Sequence, residues 1–473
     1  MENIITQDQA KSIVESFISQ TENQTKVRQS LFEKFQDFVL DGNQWNTDEE
    51  PEGNDPKMSF NQSEDFVNIY QSKLFPRNME SGVLEIGVKI KADDKAKKIK
   101  FENEIIDSYK KNKLAKIVLE QTQNYFIGGS GILYYPKDQI TKKAKIISLD
   151  PKYCYLGWAG SELEQFALSL SEVEKDKKTN WFIQILNKVL FDNKEASRKF
   201  KKIKRFTYWD KEYQIIKIEN DFKITKNEDG LIPVSWIPNQ PKAHQHEGRP
   251  ETAKLYDLEK EYNKRASDFA LRVKANTKAT LAVMTEQDST SLVRDDLTGI
   301  LPLNKDEDAK FLELKEDKEL LDFLGIIEKK MCSKMATNDA VNGEIKSNVS
   351  SLSMVYYFSP LMDRIGLKRI YWDEAFRELN KAILTYAFGV GEYDTDPIYQ
   401  PVLLTDVKTK IENTILMLEN HLISYEDAID TLRGMENSNE KLDEIIKEIE
   451  EKGELLGIKE KKEPEKEAEY FEI

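Results

Sequence analysis

The chain has 473 residues, 39% of them apolar and 33% charged, with a formal net charge of −15. That length suits two to four modules or one elongated subunit of an assembly, and no window approaches the roughly 20 uncharged apolar residues of a membrane helix. The opening residues, MENIITQDQAKSIVESF, lack the basic start and apolar stretch of a secretory signal, so an intracellular origin is expected. Cys154 and Cys332, far apart and in no CxxC arrangement, are expected to be free thiols rather than a disulfide or a zinc site.

The net charge argues against a phosphate-binding surface, but its distribution is uneven. Residues 1–60 carry 5 basic and 12 acidic side chains (−7), and residues 403–473 carry 10 and 20 (−10). The middle, 61–402, holds 55 and 53 (+2). The acidity belongs to the two ends.

Ile13, Val14, Phe17 and Ile18, then Val27, Leu31, Phe35, Phe38 and Val39, recur at helical spacing, and Asp41–Gln44 ends that helix with turn chemistry. Residues 60–78 and 101–127 read as helix, with a strand over 83–90 between them. From 128 to about 240 the chain is β-rich: Ile132–Tyr135, Lys145–Leu149, Trp181–Leu186, Ile203–Trp209, Tyr213–Ile218 and Leu231–Ile237 are short β-branched or aromatic runs. After Pro250, the positions Leu255, Leu258, Tyr262, Ala266, Phe269 and Val273 predict a helix of roughly 25 residues, about 37 Å long. TLAVM and GILPL then read as strands around a polar hairpin, Thr285–Thr298. A second helix presents Leu320, Leu324, Ile327, Met331 and Met335 on one face. The polar run TNDAVNGEIKSNVSS (337–351) follows, and then a third long helix whose Pro360 should kink or break it. Helices carrying Val407–Leu422, a Ser424/Asp427 capping box and Leu442–Ile449 lead to a charged tail expected to be disordered. The fold class is α+β.

Catalytic chemistry is scarce. His244 and His246 form an HxH pair in a polar loop with only Glu247 nearby, which reads as a solvated loop rather than half a metal site. Gly128-Gly129-Ser130-Gly131 has no following Lys-Ser or Lys-Thr and opens a strand, so it reads as a tight turn and not a phosphate loop. Lys201–Arg205 reads as a solvated edge strand, and Asp295-Asp296 and Asp93-Asp94 as exposed turns. No cofactor or metal is expected, and no enzyme activity.

The order of long helix, small β insertion, long helix, polar loop and kinked helix resembles the portal proteins of tailed bacteriophages. Local motifs agree: FVLDGNQW (38–45) followed by Phe60-Asn61, FIGGSGILY (126–134), Leu149-Asp150-Pro151, GLIPVSWIPN (230–239), LYDLEKEYNKRASD (255–268), the segment Gly343–Leu367 and HLISYEDAIDTL (421–432) are each similar to a family motif. The likeness runs from about residue 30 to 450. Ser350-Ser351 stands where the family has Ser-Gly, Ser353 where it has Ala, and His421 where it often has Gly.

The resemblance implies a subunit of a twelve-fold ring at one capsid vertex, a channel for packaging and ejection of double-stranded DNA, made in the host bacterial cytoplasm and residing in the virion. It implies an N-terminal helical segment 1–59, a wing 60–240, a first stem helix 241–276, a clip 277–313, a second stem helix 314–336, a tunnel loop 337–351, a kinked wing helix 352–402, a helical crown 403–458 and a charged tail 459–473. Subunits would pack through Leu255, Leu258, Tyr262, Phe269, Leu324, Ile327 and Met331. Asn338, Asn342, Lys346 and Asn348, with Lys330 and Lys334 nearby, would face the channel, the lysines touching either DNA or a neighbouring subunit's acids. Arg294, Asp295 and Asp296 would dock partners, namely the large terminase subunit and then the head-completion adaptor or tail proteins. Major capsid protein and scaffolding protein are further expected partners, and no membrane. Another non-enzymatic virion component, a minor capsid or collar protein, is the alternative; a nucleic-acid-processing enzyme would need clustered carboxylates or histidines.

Overall fold

The computed structural model describes residues 5–40, 45, 56–78, 84–91, 94–173, 202–219, 221–277, 281–284, 300–303, 318–337, 351–390, 393–400, 414–418, 420 and 423. The chain divides into two compact units, residues 1–400 and 401–473. In the second, residues 414–418 are helical.

Helix α1, Gln7–Val39, starts with a Thr6/Gln9 capping box that satisfies two of its orphan backbone donors. Its inward row runs Ala10, Val14, Phe17, Thr21, Thr25, Arg28, Phe32, Phe35, Phe38. Val27 and Leu31, expected on that row, are exposed. The reason is that Thr21 and Thr25 return their hydroxyls to the carbonyls of Phe17 and Thr21, 2.7 and 3.0 Å away, and so pack as apolar groups. The 3.6-residue row therefore continues through polar positions to Arg28.

The row rests on a five-stranded antiparallel meander of β4 (Cys154–Ala159), β5 (Glu162–Val173), β6 (Lys202–Trp209), β7 (Tyr213–Ile218) and β8 (Asp221–Lys226). Ala10, Val14 and Phe17 meet Ala167, Phe206, Tyr208 and Ile215 on one face. The opposite face packs Cys154, Leu156, Phe166, Leu168 and Trp209 against Ile132, Tyr134, Val234 and Trp236. These last belong to a second sheet, ordered β3-β2-β9, of β2 (Ser130–Tyr134), β3 (Ile147–Ser148) and β9 (Val234–Pro238). Each large apolar side chain so buried contributes about 1.5–3 kcal/mol. β6 pairs with β5 along its whole length but with β7 only over Arg205–Trp209, so the edge expected of the basic run holds for Lys202–Lys204, which have one strand neighbour, and fails at Arg205. Its Phe206 and Tyr208 face α1 and its Trp209 the second sheet.

Helix α2 (Gln62–Leu74), α3 (Lys95–Lys111) and α4 (Leu114–Ile127) precede the sheets, with β1 (Gly87–Ile90) between α2 and α3. The single helix expected over 101–127 is two, broken where Lys113 adopts φ +54° and Asn112 bonds across to Ala144 and Ile146. Two long helices follow β9: α5 (Tyr256–Thr277), entered through a 3-10 turn at Thr252–Lys254, and α6 (Lys318–Lys334). Between them β10 (Leu281–Met284) and β11 (Ile300–Leu303) pair in parallel, Leu281 with Ile300 through Met284 with Leu303. A hairpin pairs its strands antiparallel, so this insertion is a crossover rather than the hairpin expected. Arg294, Asp295 and Asp296 lie in its connection, outside the described residues.

The last long helix, α7, runs from Ser351 to Phe388 through Pro360 without a break. It packs against α2, α3 and β9 and returns through Gly389 (φ +69°) to β12 (Thr395–Ile398), which pairs antiparallel with β1. Trp372 is its centre, fully buried, its ring 4.9 Å from that of Phe75. The Trp181–Leu186 run, the 338–350 part of the polar loop with Asn338, Asn342, Lys346 and Asn348, and the Ser424/Asp427 capping box lie outside the described residues.

Candidate functional site: the root of the long helix pair

The first long helix leaves the sheet layer through a junction of buried polar groups. Gly129 turns the end of α4 into β2 with φ +93°, as the GGSG reading required. A Cβ there would meet the backbone of Arg249 and Pro250 at 2.8 Å, and one on Gly248 would lie 1.8 Å from the Gly129 carbonyl. Two chain segments therefore cross at glycine-only distance. The Gly129 carbonyl accepts from the Asn239 backbone N–H at 2.8 Å, and Phe126 accepts from Glu251 at 2.8 Å.

At this crossing Lys368 of α7 is fully buried. Its ammonium donates to Asn239 Oδ1 and Glu251 Oε2, both at 2.7 Å, and lies 5.4–5.7 Å from the ring centroids of Phe126, Tyr125 and Tyr70. Asn239 in turn donates to the Arg249 carbonyl and to Glu251 Oε2. Burial alone would raise the Glu251 pKa, but the cations of Lys368 and Lys254 overcome it and hold the carboxyl down at about 2. Burial lowers the Lys368 ammonium to about 8 against the pull of Glu251. A buried charge pair with its remaining donors and acceptors used is a clamp, and removing either partner strands the other.

A second anchor ties α1 to the same loop. Arg28, buried, donates to the carbonyls of Pro151 and Cys154, pairs with Glu247 and lies 5.0 Å over the Trp236 ring. Burial raises the Glu247 pKa, with Arg28 opposing. His246 stacks on Trp158 at 4.1 Å and 8°, and its carbonyl accepts from Trp236 Nε1 at 3.0 Å. The HxH loop is thus held by its second histidine, while His244 is exposed. A cleft of about 830 Å³ opens beside this stack, lined by Trp158, Trp236, His246, Tyr371, Glu374 and Lys381 among others.

Along α5 the side chains of Glu259, Asn263 and Ser267, at i, i+4 and i+8, form one buried acceptor stripe. Ser63 N–H donates to Glu259 at 3.2 Å, Phe60 N–H to Asn263 at 2.9 Å and Met58 N–H to Ser267 at 2.8 Å. Four helical residues rise about 6 Å and two extended residues nearly 7 Å, so Ser267 and Asn263 match the step from Met58 to Phe60, and Glu259 meets Ser63 in the first turn of α2. At the far end of α6, Tyr70 donates to the Met335 carbonyl and Arg364 to that of Lys334, a cation at a helix C-terminus.

Of the residues singled out beforehand, Leu255, Leu324, Ile327 and Met331 are buried inside the chain, where α5 and α6 pack together, and Leu258, Tyr262 and Phe269 are half-buried. Lys330 is exposed; Lys334 donates to the Lys254 carbonyl at 3.1 Å. Sequence reasoning missed Arg28, Glu251 and Lys368, which look like ordinary surface charges. The signal was available for Lys368, which continues the inward row of Phe358, Leu361, Ile365 and Trp372, and for Arg28, which continues that of Phe32, Phe35 and Phe38. Among the described residues, no helix is long and apolar enough to cross a membrane.

A family model described as "Phage portal protein, SPP1 Gp6-like" matches residues 20–455. Among curated proteins none matches the chain.

Proposed function

The chain belongs to the SPP1 Gp6-like phage portal proteins, a structural family with a role in capsid assembly and DNA packaging, and from that premise we propose that it forms a twelve-fold ring at one capsid vertex. In this reading the ring is the channel for double-stranded DNA during packaging and ejection. The clip, 277–313, docks the large terminase subunit and later the head-completion adaptor or tail proteins, with Arg294, Asp295 and Asp296 as the contact. Major capsid protein and scaffolding protein meet the ring from outside.

The observation that carries the reading is the match over residues 20–455, which spans both long helices and the junction at their root. The clamp of Lys368, Glu251 and Asn239 supports it mechanically, because a strut that bears a passing duplex needs a rigid root. Charge supports it as well. Each lysine or arginine that displaces counterions from DNA adds affinity and hence drag, and residues 61–402 balance 55 basic against 53 acidic side chains. The polar loop 337–351 is the proposed channel surface, with Asn338, Asn342, Asn348 and Lys346 toward the duplex. The −10 of residues 403–473 would repel packed DNA from the crown. Electron microscopy of the purified full chain tests the proposal. Rings with a central hole are expected, and monodisperse monomers at high concentration would overturn it.

A further inference from the structure

Helix α7 changes character halfway along. Throughout its length Phe358, Leu361, Ile365, Lys368, Trp372, Phe376 and Leu379 face the chain's own core. On the opposite side, Tyr356, Pro360, Asp363, Leu367, Ile370 and Glu374 recur at steps of four and three and so form one straight seam. Tyr356 is 72% exposed, Leu367 53% and Ile370 58%. Beyond Glu374 the outer side is charged, with Arg377 and Lys381, as a solvent-facing helix should be. The first half is apolar on both sides, the pattern of a helix that is covered on both sides. Its exposed apolar side chains present on the order of 400 Å², a patch size that marks interaction sites.

A second seam lies on α6. Glu319, Phe323, Ile326 and Lys330 also step by four, three and four, and Phe323 and Ile326 are exposed. The two seams are unlike, which is what a head-to-tail contact that closes into a ring requires. Their apolar residues also match in spacing. Both seams set two large apolar residues between charged ends; that of α7 is acidic at each end, Asp363 and Glu374, so Lys330 meets an acid whichever way the helices run, and Glu319 faces the other acid at the end of the contact. None of Asp363, Glu374 and Lys330 forms an ion pair among the described residues.

We infer that the α7 seam Tyr356–Glu374 is covered by the α6 seam Glu319–Lys330 of a second copy of this chain, with Leu367 and Ile370 packed on Phe323 and Ile326. This rests on the ring reading and names the surfaces that build the ring. It assigns Lys330 to the subunit boundary, and leaves the channel surface to the loop that follows.

A photo-cross-linking amino acid at position 370 of the full chain tests it, using a mixture of isotope-labelled and unlabelled protein so that mass spectrometry separates links between copies from links within one. Links between copies that land in residues 318–334 are expected. Links within one copy, to residues 401–473 or elsewhere, or links between copies to another segment, overturn the seam even where rings are seen. If the unmodified protein stays monomeric at every concentration, the ring reading falls and the seam falls with it. Ile370→Glu supplies the second measurement. With unchanged far-ultraviolet circular dichroism and thermal unfolding, it should raise the concentration for half-assembly at least tenfold, and assembly at the wild-type concentration would overturn the inference.

Discussion

Lys368 Nζ and Glu251 Oε2 stand 2.7 Å apart, 117 residues distant in sequence, with the lysine side chain 0% and the glutamate 2% exposed. The pair joins the middle of α7 to the residue at which the chain enters the first long helix. Its removal should therefore loosen the root of that helix and not merely a surface contact. Lys368→Met leaves Glu251 buried with only Lys254 as a cation, and should lower stability by about 3–5 kcal/mol. Adding Glu251→Gln should return much of that loss, because the stranded charge is gone. Chemical denaturation of the two single variants and the double variant measures the coupling; strictly additive losses would refute it.

Acid sensitivity follows from the same pair. Glu251 is held at about 2, below its ordinary 4.5. A carboxyl with a lowered folded-state pKa adds stability that is complete above about 4.5 and is lost as pH falls toward 2. The stability difference between wild type and Glu251→Gln should shrink as pH falls from 4.5 to 2. Lys368, lowered to about 8 from 10.5, acts in the other direction. Its buried charge weighs against folding below pH 8, and that burden fades as pH rises toward 10.5. Unfolding midpoints across both windows would show each slope.

The strap 58–63 depends on side-chain acceptors. Asn263→Ala removes the acceptor from the Phe60 N–H and should cost about 1–3 kcal/mol. Faster proteolytic cleavage on the N-terminal side of α2, with the β-sheet signal of circular dichroism unchanged, would mark the loss as local.

Two glycines should behave in opposite ways. Gly248→Ala places a methyl against the backbone of Gly129 and Asn239, neither of which can give way, and should destabilise by more than about 3 kcal/mol. Gly325→Ala, inside α6 with nothing within 4 Å of the new methyl, should stabilise by about 0.5–1 kcal/mol. Thermal unfolding of the purified variants separates the two.

Charge reversal at Lys346 should change how well filled heads retain DNA, since the copies of one loop residue form a ring around the channel in the proposed assembly. Unchanged packaging and retention would remove Lys346 from the channel surface.

Periodicity was a sound guide for α6, whose inward face follows Leu324, Ile327, Met331 and Met335 as expected, because solvent and core sides repeat within four residues and leave their mark locally. In α5 it was not: Val273 is exposed and the most deeply buried stripe is the polar one of Glu259, Asn263 and Ser267, whose bonds to the strap no apolar pattern records. Strand partners were less legible. β4 and β5, CYLGWA and ELEQFALSLSEV, carry glycine and acids between their aromatics and do not read as strands until paired with the Phe- and Trp-bearing β6. The hairpin expected between β10 and β11 failed for a related reason: four-residue apolar runs declare strand, but not direction.

By itself, the amino-acid sequence determined the order of the long helices, the turn at Gly128–Gly131 and the family to which that order belongs. Each of these is written in neighbouring residues, through spacing, caps and the φ angles that glycine allows. Only the tertiary structure decided that Arg28, Glu251 and Lys368 are internal clamps and that Leu367 and Ile370 face outward. A charged side chain is buried when a distant residue supplies its counter-charge and the remaining bonds. That partner lies 117 residues from Lys368 and 219 from Arg28, beyond the reach of any local pattern.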